Sequence, residues 1–215
     1  MSNPKYHYIF WDNDGVLVDT EPYYLQANRE AMAKASISLS EEQFATTSMH
    51  EGRSIFDLVH EQQKTAEYLN ELKIWRNQRY AELLEQEELI LSGVKEALEE
   101  LHGKIKMAIV TSSQRTHFDI IHRRTGLLPF FDFCLTREDY TNSKPSAEPY
   151  LLALQRTAKE PHQALVIEDS PRGLKAAKAA GIDCCAIPGH HTSASDFMTA
   201  DRIPTIIAAI PELLL

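Results

Sequence analysis

The sequence predicts a doubly wound parallel α/β sheet interrupted by an inserted all-helical subdomain. Short aromatic or β-branched runs stop abruptly at polar residues, as strands do when they deliver side chains to a sheet edge. Helix-periodic segments alternate with those runs, which is the pattern of βαβ units. Residues from about 21 to 88 break the alternation: they are rich in Glu and Gln, keep helical spacing, and carry no strand signal.

The run from Lys5 to Trp11 reads as the first strand, closed by a tight turn at Asp12-Asn13-Asp14-Gly15. In the insert, Ala66, Leu69, Leu72, Trp75, Leu83 and Leu84 follow a helical period. After Ser92-Gly93 comes an amphipathic helix, Val94 to Leu101, then an apolar strand, Lys106 to Thr111, ending in hydroxyls. A helix Thr116 to Arg124, a strand Phe131 to Leu135 and a helix from about Glu148 to Ala158 follow. The last units are a strand Ala164 to Ile167, a helix Gly173 to Ala180 stopped by Gly181, and a strand Asp183 to Ile187. The expected division is a core of residues 1–20 and 89–215, with the helical subdomain at 21–88.

Composition narrows the function. The formal net charge of −9 disfavours nucleic acid, whose phosphates call for clustered Lys and Arg. No apolar run is long enough to span a bilayer, and the N-terminus lacks the layout of a signal peptide, so a cytoplasmic protein with no membrane partner is expected. The three cysteines, Cys134, Cys184 and Cys185, have no metal-ligand spacing and read as small core residues. A monomer is the expected state, with a dimer as the alternative.

Three strand ends finish in polar groups of matching purpose: Asp12 and Asp14, Thr111-Ser112-Ser113, and Glu168-Asp169, with Lys144-Pro145 in the loop before a helix. Ligands of an open α/β sheet sit at the C-terminal ends of strands. Acids from the first and third ends can share a hard cation such as Mg²⁺, while the lysine and the hydroxyls suit a phosphate. Phosphoryl transfer needs an in-line nucleophile and positive charge around the equatorial oxygens, and this set supplies both. Each group alone has an ordinary reading: a turn for Asp-x-Asp-Gly, a strand end or helix cap for the hydroxyls and for Glu168-Asp169-Ser170, a surface charge for Lys144. A calcium loop is excluded because Val16 and Val18 stand where oxygens are needed. Order and spacing together carry the reading.

The arrangement resembles the haloacid dehalogenase (HAD) superfamily, in particular its β-phosphoglucomutase and phosphoglycolate-phosphatase-like branch. The D-x-D-G-[VT]-x-x-D signature is matched by Asp12-Asn13-Asp14-Gly15-Val16-Leu17-Val18-Asp19, followed by the equally typical Thr20-Glu21-Pro22. Thr111 matches the second motif. Ser143-Lys144-Pro145-Ser146-Ala147-Glu148 matches the third, with Ala147 where proline is usual, and Glu168-Asp169-Ser170-Pro171-Arg172-Gly173 matches the fourth. The resemblance implies a Rossmann-like core and a Mg²⁺-dependent phosphatase acting on a small phosphorylated metabolite. It implies Asp12 as nucleophile, Asp14 as acid and base, and Lys144 and Thr111 as phosphate ligands, with Ser112 beside them. It implies Asp12, Asp14 (through its carbonyl), Glu168 and Asp169 around the metal.

The insert resembles the family's helical cap. There Arg53, within Gly52-Arg53-Ser54, and Glu21 are candidate substrate contacts, against the ordinary readings of an exposed ion pair and a polar helix start. Arg76 stands at a place that is basic in the mutases, and His190-His191 reads as a surface pair. The alternatives to a phosphatase are a β-phosphoglucomutase-like sugar phosphomutase and a non-catalytic regulatory protein on the same fold. Tyr24 and Ile55 stand where the mutases carry a cap histidine and an arginine, which favours hydrolysis. Intact Asp12, Asp14, Lys144 and Asp169 argue against an idle scaffold.

Overall fold

The structure, a computed structural model, describes residues 5–51, 53–60, 65–189, 192–204 and 206–214. The chain divides into two compact units, Met1–Asp19 with Leu89–Leu215, and Thr20–Glu88. The first is the α/β core unit. Its strands are β1 (Tyr8–Trp11), β2 (Lys106–Val110), β3 (Phe133–Leu135), β4 (Ala164–Glu168) and β5 (Asp183–Ala186). They form one parallel sheet in the order β3-β2-β1-β4-β5. β1 and β4 are buried along their whole length, as parallel strands covered by helices on both faces must be, and that is why they read as apolar runs rather than alternating ones.

In the second unit lie α1 (Glu21–Lys34), α2 (Glu41–Phe44), a π-helical turn (Ala45–His50), α3 (Asp57–His60) and α4 (Ala66–Gln86). α1 and α4 run antiparallel, tied by Arg79 to Glu30 at 2.8 Å and by the Tyr68 hydroxyl donating to the Lys34 carbonyl at 3.0 Å. Leu25, Met32, Phe44, Phe56 and Leu72 close a small core of their own. Ser40 and Gln43 form a capping box at the start of α2, and Thr65 caps α4. The core unit continues with α5 (Val94–Leu101), α6 (Arg115–Thr125), α7 (Glu148–Thr157), α8 (Pro171–Ala179) and α9 (Ile210–Leu214). Among the described residues no helix is long and apolar enough to cross a membrane.

Helix and strand identities follow the sequence pattern, but the first strand begins at Tyr8 rather than Lys5, and β3 at Phe133 rather than Phe131. Lys5 bonds the Asp183 side chain instead, and Phe131 closes a 3₁₀ turn over Leu128–Phe130. One core assignment is corrected. Cys184 and Cys185 are buried, but Cys134 is only half-buried, because it lies on the edge strand β3, where Arg115 Nη1 comes within 3.3 Å of its sulfur.

Candidate active site at the strand ends

Sheet topology brings the motif residues together. The strand order reverses between β1 and β4, the crevice where such sheets bind ligands. Trp11 is level with both Ile109 and Ile167, so Asp12 ends β1 beside the end of β2 and beside Glu168. The ladder runs on past the strands, with Asp12 N–H donating to the Ile167 carbonyl at 2.9 Å and Thr111 N–H to that of Leu135 at 2.9 Å.

The turn after β1 is fixed by its backbone. The Asn13 carbonyl accepts from the N–H groups of Leu17 at 2.8 Å and Val18 at 3.1 Å. Gly15 has φ +78°, and a Cβ there would lie 1.8 Å from Asp169 Oδ2, so conformation and close approach both demand glycine. Gly173, in the fourth motif, is demanded by space alone: its Cβ would lie 1.8 Å from the Glu168 carboxyl carbon.

Lys144, read from sequence as ordinarily a surface charge, is buried. Its ammonium donates to Asp12 Oδ1 at 2.8 Å, Glu168 Oε1 at 2.6 Å and the Val110 carbonyl at 2.8 Å, which uses its three protons. Burial works against its charge, but Asp12 and Glu168 outweigh that and raise its pKa. One lysine cannot offset both acids. Burial, and then the Glu168 charge, lift Asp12 to about 7 in spite of Lys144. Glu168 is fully engaged, because Tyr150 Oη donates to Oε1 at 2.8 Å and Ser170 Oγ to Oε2 at 2.9 Å. Ser170 also caps α8 by accepting the Gly173 N–H, so the capping and functional readings of that motif hold together.

Asp14 sits in a different setting. Its Oδ2 accepts from Ser113 Oγ at 2.5 Å and from Thr111 Oγ1 at 3.3 Å, both on the loop between β2 and α6. Ser112 is exposed, with its Oγ 3.5 Å from Tyr140 Oη. Asp12, Glu168 and Asp169 each bring a carboxylate oxygen to within 4.8 Å of the others, a hard all-oxygen donor set that fits a small divalent cation.

In the inserted unit Arg53 is exposed and paired with Glu51 at 3.3 Å and Asp57 at 3.5 Å. Glu21 opens α1 in its first turn, where its charge suits the helix dipole. Arg76 donates to Tyr24 Oη at 2.6 Å and Asn28 Oδ1 at 2.9 Å, and Ile55 is buried in that unit's core. Gly52 and the His190-His191 pair lie outside the described residues. Sequence reasoning left Ser113, Tyr150 and His122 without a role. Ser113 belonged to a hydroxyl run already singled out, whereas nothing in the spacing of Tyr150 or His122 distinguishes them from core positions.

This fold, with acids, lysine and hydroxyls converging at the switch point, defines a class. Residues 9–187 match the family model of haloacid dehalogenase-like hydrolases, and the chain belongs to that family. It is 35% identical over 181 residues to a phosphorylated carbohydrates phosphatase of Thermotoga maritima, a match covering 81% of this chain and 82% of that one. Among solved structures, a putative β-phosphoglucomutase of Thermotoga maritima shares 27% identity at TM-score 0.77, covering 96% of this chain and 97% of its own. The phosphate complex of CbbY from Rhodobacter sphaeroides has the same fold at TM-score 0.80 and 24% identity, covering 95% of this chain and 96% of its own.

Proposed function

We propose that the protein is a Mg²⁺-dependent phosphatase of small phosphorylated metabolites, phosphorylated sugars foremost, that acts through an aspartyl-phosphate on Asp12. The observation that carries this reading is the buried contact of Lys144 with Asp12 beside Glu168 and Asp169 at the switch point. The named phosphatase relative, which matches most of the chain, supports the substrate class.

In this reading the ionised Asp12 carboxylate attacks phosphorus while the bond to the leaving oxygen breaks and Asp14 gives that oxygen a proton. Asp14 then takes a proton from water, whose oxygen displaces Asp12 and releases phosphate. The Ser113 hydroxyl orients Asp14 for both transfers. On substrate binding Lys144 exchanges its Val110 carbonyl contact, and Thr111 its 3.3 Å contact with Asp14, for phosphoryl oxygens, with Ser112 beside them, and Lys144 favours the ionised form of Asp12 against its burial. Asp12, the Asp14 carbonyl and Asp169 would hold Mg²⁺, with Glu168 acting on it through its neighbours; the ion would neutralise developing charge on the phosphoryl oxygens. The inserted unit serves as the cap that selects the leaving group, with Glu21 and Arg53 as its substrate contacts. Arg53 then exchanges Glu51 and Asp57 for substrate. Against a mutase stands the engagement of Tyr24 by Arg76 and the burial of Ile55, the positions where mutases carry their cap histidine and arginine.

The test is phosphate release from a panel of sugar and other small phosphates by wild type and Asp12→Asn, each with Mg²⁺ or with a chelator. The expected outcome is release by wild type with Mg²⁺ alone, and a drop of about a thousandfold or more in Asp12→Asn with its fold intact. Unchanged turnover in Asp12→Asn would remove the nucleophile.

A further inference from the structure

The residue between the two motif aspartates turns away from both. Asp12 faces Lys144 and Asp14 faces Thr111 and Ser113, but the Asn13 side chain turns to α6, where its Oδ1 lies 2.8 Å from His122 Nε2. Asn13 is 0% exposed and His122 2%. On the far side of the imidazole, Thr125 Oγ1 lies 3.3 Å from Nδ1, and the Phe118 ring packs at 4.3 Å between centroids. With Thr125 donating to Nδ1, Nε2 keeps its hydrogen and donates it to Asn13 Oδ1. The amide nitrogen of Asn13 is buried and has no hydrogen-bond partner among the described residues.

As a stabilising device this pair makes poor sense. Both side chains are buried and the Phe118 ring packs on the imidazole, so two apolar side chains would suit the same interior without desolvating an imidazole and an amide or stranding a donor. What a directional bond supplies and apolar packing does not is a fixed orientation. The backbone carbonyl of Asn13 is also the hub of the turn, accepting the Leu17 and Val18 N–H groups. Rotation at this residue therefore moves its two neighbours together. α6 opens directly behind the loop that carries Thr111 and Ser113, so one helix steadies the middle of the first motif while the loop before it holds Asp14.

We propose that His122 is a positioning residue: through its hydrogen bond to Asn13 it sets the direction in which the turn presents Asp12 and Asp14. The proposal rests on the phosphatase reading for its kinetic consequence, and on geometry alone for its effect on metal binding. Displacement of supporting groups of this kind typically costs about 10–100-fold in activity or metal affinity.

The experiment compares wild type, His122→Leu, His122→Gln, Asn13→Leu and the double variant Asn13→Leu/His122→Leu. Three quantities are read for each: melting temperature, kcat and KM for phosphate release, and Mg²⁺ affinity by calorimetry. Each Leu variant is expected to lose about tenfold or more in kcat and in Mg²⁺ affinity, with KM within about twofold. His122→Gln, which can still donate to Asn13, is expected to recover most of both. The double variant should regain the melting temperature of wild type, since both polar groups are gone, yet lose no more kcat than either single variant and regain none. A double variant with wild-type kcat and Mg²⁺ affinity would reduce the pair to packing and overturn the proposal. Losses that multiply in the double variant would overturn it too, by showing that the two residues act independently. If the double variant does not fold, equal kcat and affinity in His122→Leu and His122→Gln would be decisive against it. Wild type that binds Mg²⁺ but releases no phosphate from any substrate would sink the phosphatase reading alone, and the affinity series would still decide the role of His122.

Discussion

Lys144 in the core unit and Arg53 in the inserted unit are both cations flanked by two carboxylates, and they differ in almost everything else. The Lys144 side chain is 5% exposed, and its partners Asp12 and Glu168 are 12% and 0% exposed. Arg53 is 53% exposed and its partners Glu51 and Asp57 are each 45% exposed. Water screens the second group, so its geometry costs little to form and little to lose. The first group has given up its hydration, so each charge depends on the others, and removal of one leaves the rest uncompensated. A charge cluster of the first kind is a costly way to hold a fold together, which is why chemistry is the better account of it.

Lys144→Ala is the strongest way to press that contrast. It leaves Asp12 and Glu168 facing one another without a cation, and the expected loss is roughly 3–5 kcal/mol of stability with near-complete loss of turnover. Denaturant unfolding checks the first and phosphate release the second. A stability change below about 1 kcal/mol would place the Lys144 cluster in the same class as Arg53.

The next largest effect tests whether burial, and not charge alone, separates the two regions. His122 is neutral and buried behind the Asp12–Asp14 turn, and burial lowers its pKa from 6.5 to about 4 against the raising influence of Asp14. The unfolded chain takes up a proton as pH falls through 6.5, whereas the folded protein refuses it until about 4. Folding stability is therefore untouched by this site above 6.5 and falls as pH drops toward 4, by roughly 3 kcal/mol. Melting curves of wild type and His122→Leu between pH 7 and 4 should show the wild type falling more steeply. Parallel curves would mean that His122 titrates normally.

How far the sequence reveals these differences depends on whether spacing or space is at stake. The parallel sheet, the succession of its strands along the chain and the motif residues at the strand ends are legible, because parallel strands buried on both faces must be apolar and their polar ends stand out; the order of the strands within the sheet is not. The burial of Lys144 was not, since a lysine in a Ser-Lys-Pro loop looks solvated until β1, β2 and β4 close around it. Nor was the limit on Glu168, whose oxygens are taken up by Tyr150 on α7 and Ser170 before α8. His122 was hidden for a similar reason, since an imidazole on the inner face of an amphipathic helix carries no mark of which turn it meets. In the inserted unit, helix existence was plain from periodicity, but substrate roles for Arg53 and Glu21 depend on a surface that periodicity does not define.

Gly173→Ala comes next in size. The added methyl would meet the Glu168 carboxylate at 1.8 Å, and that carboxylate has no free direction, being held by Lys144, Tyr150 and Ser170. Overpacking of this kind costs about 1–3 kcal/mol, and the displaced Glu168 pulls Lys144 away from Asp12, so activity should fall further than stability. Activity that tracks the folded fraction would show that Glu168 relaxes without moving Lys144.

Arg53→Ala closes the series with the smallest change in stability, because the charges it leaves behind are already in water. Glu51 and Asp57 need no replacement cation when both are 45% exposed, so the expected change is within about 0.5 kcal/mol. Its value lies in the kinetics. If Arg53 meets the substrate as proposed, KM for a substrate with a second anionic group should rise by several fold while kcat stays put, and a neutral aryl phosphate should show no change. That split separates a contact with the remote part of the substrate from any effect on the Asp12 cluster, since an effect there would lower kcat for both substrates alike. Equal KM values for both substrates in wild type and Arg53→Ala would return Arg53 to the ordinary reading of an exposed ion pair, and the contrast with Lys144 would then extend from stability to function.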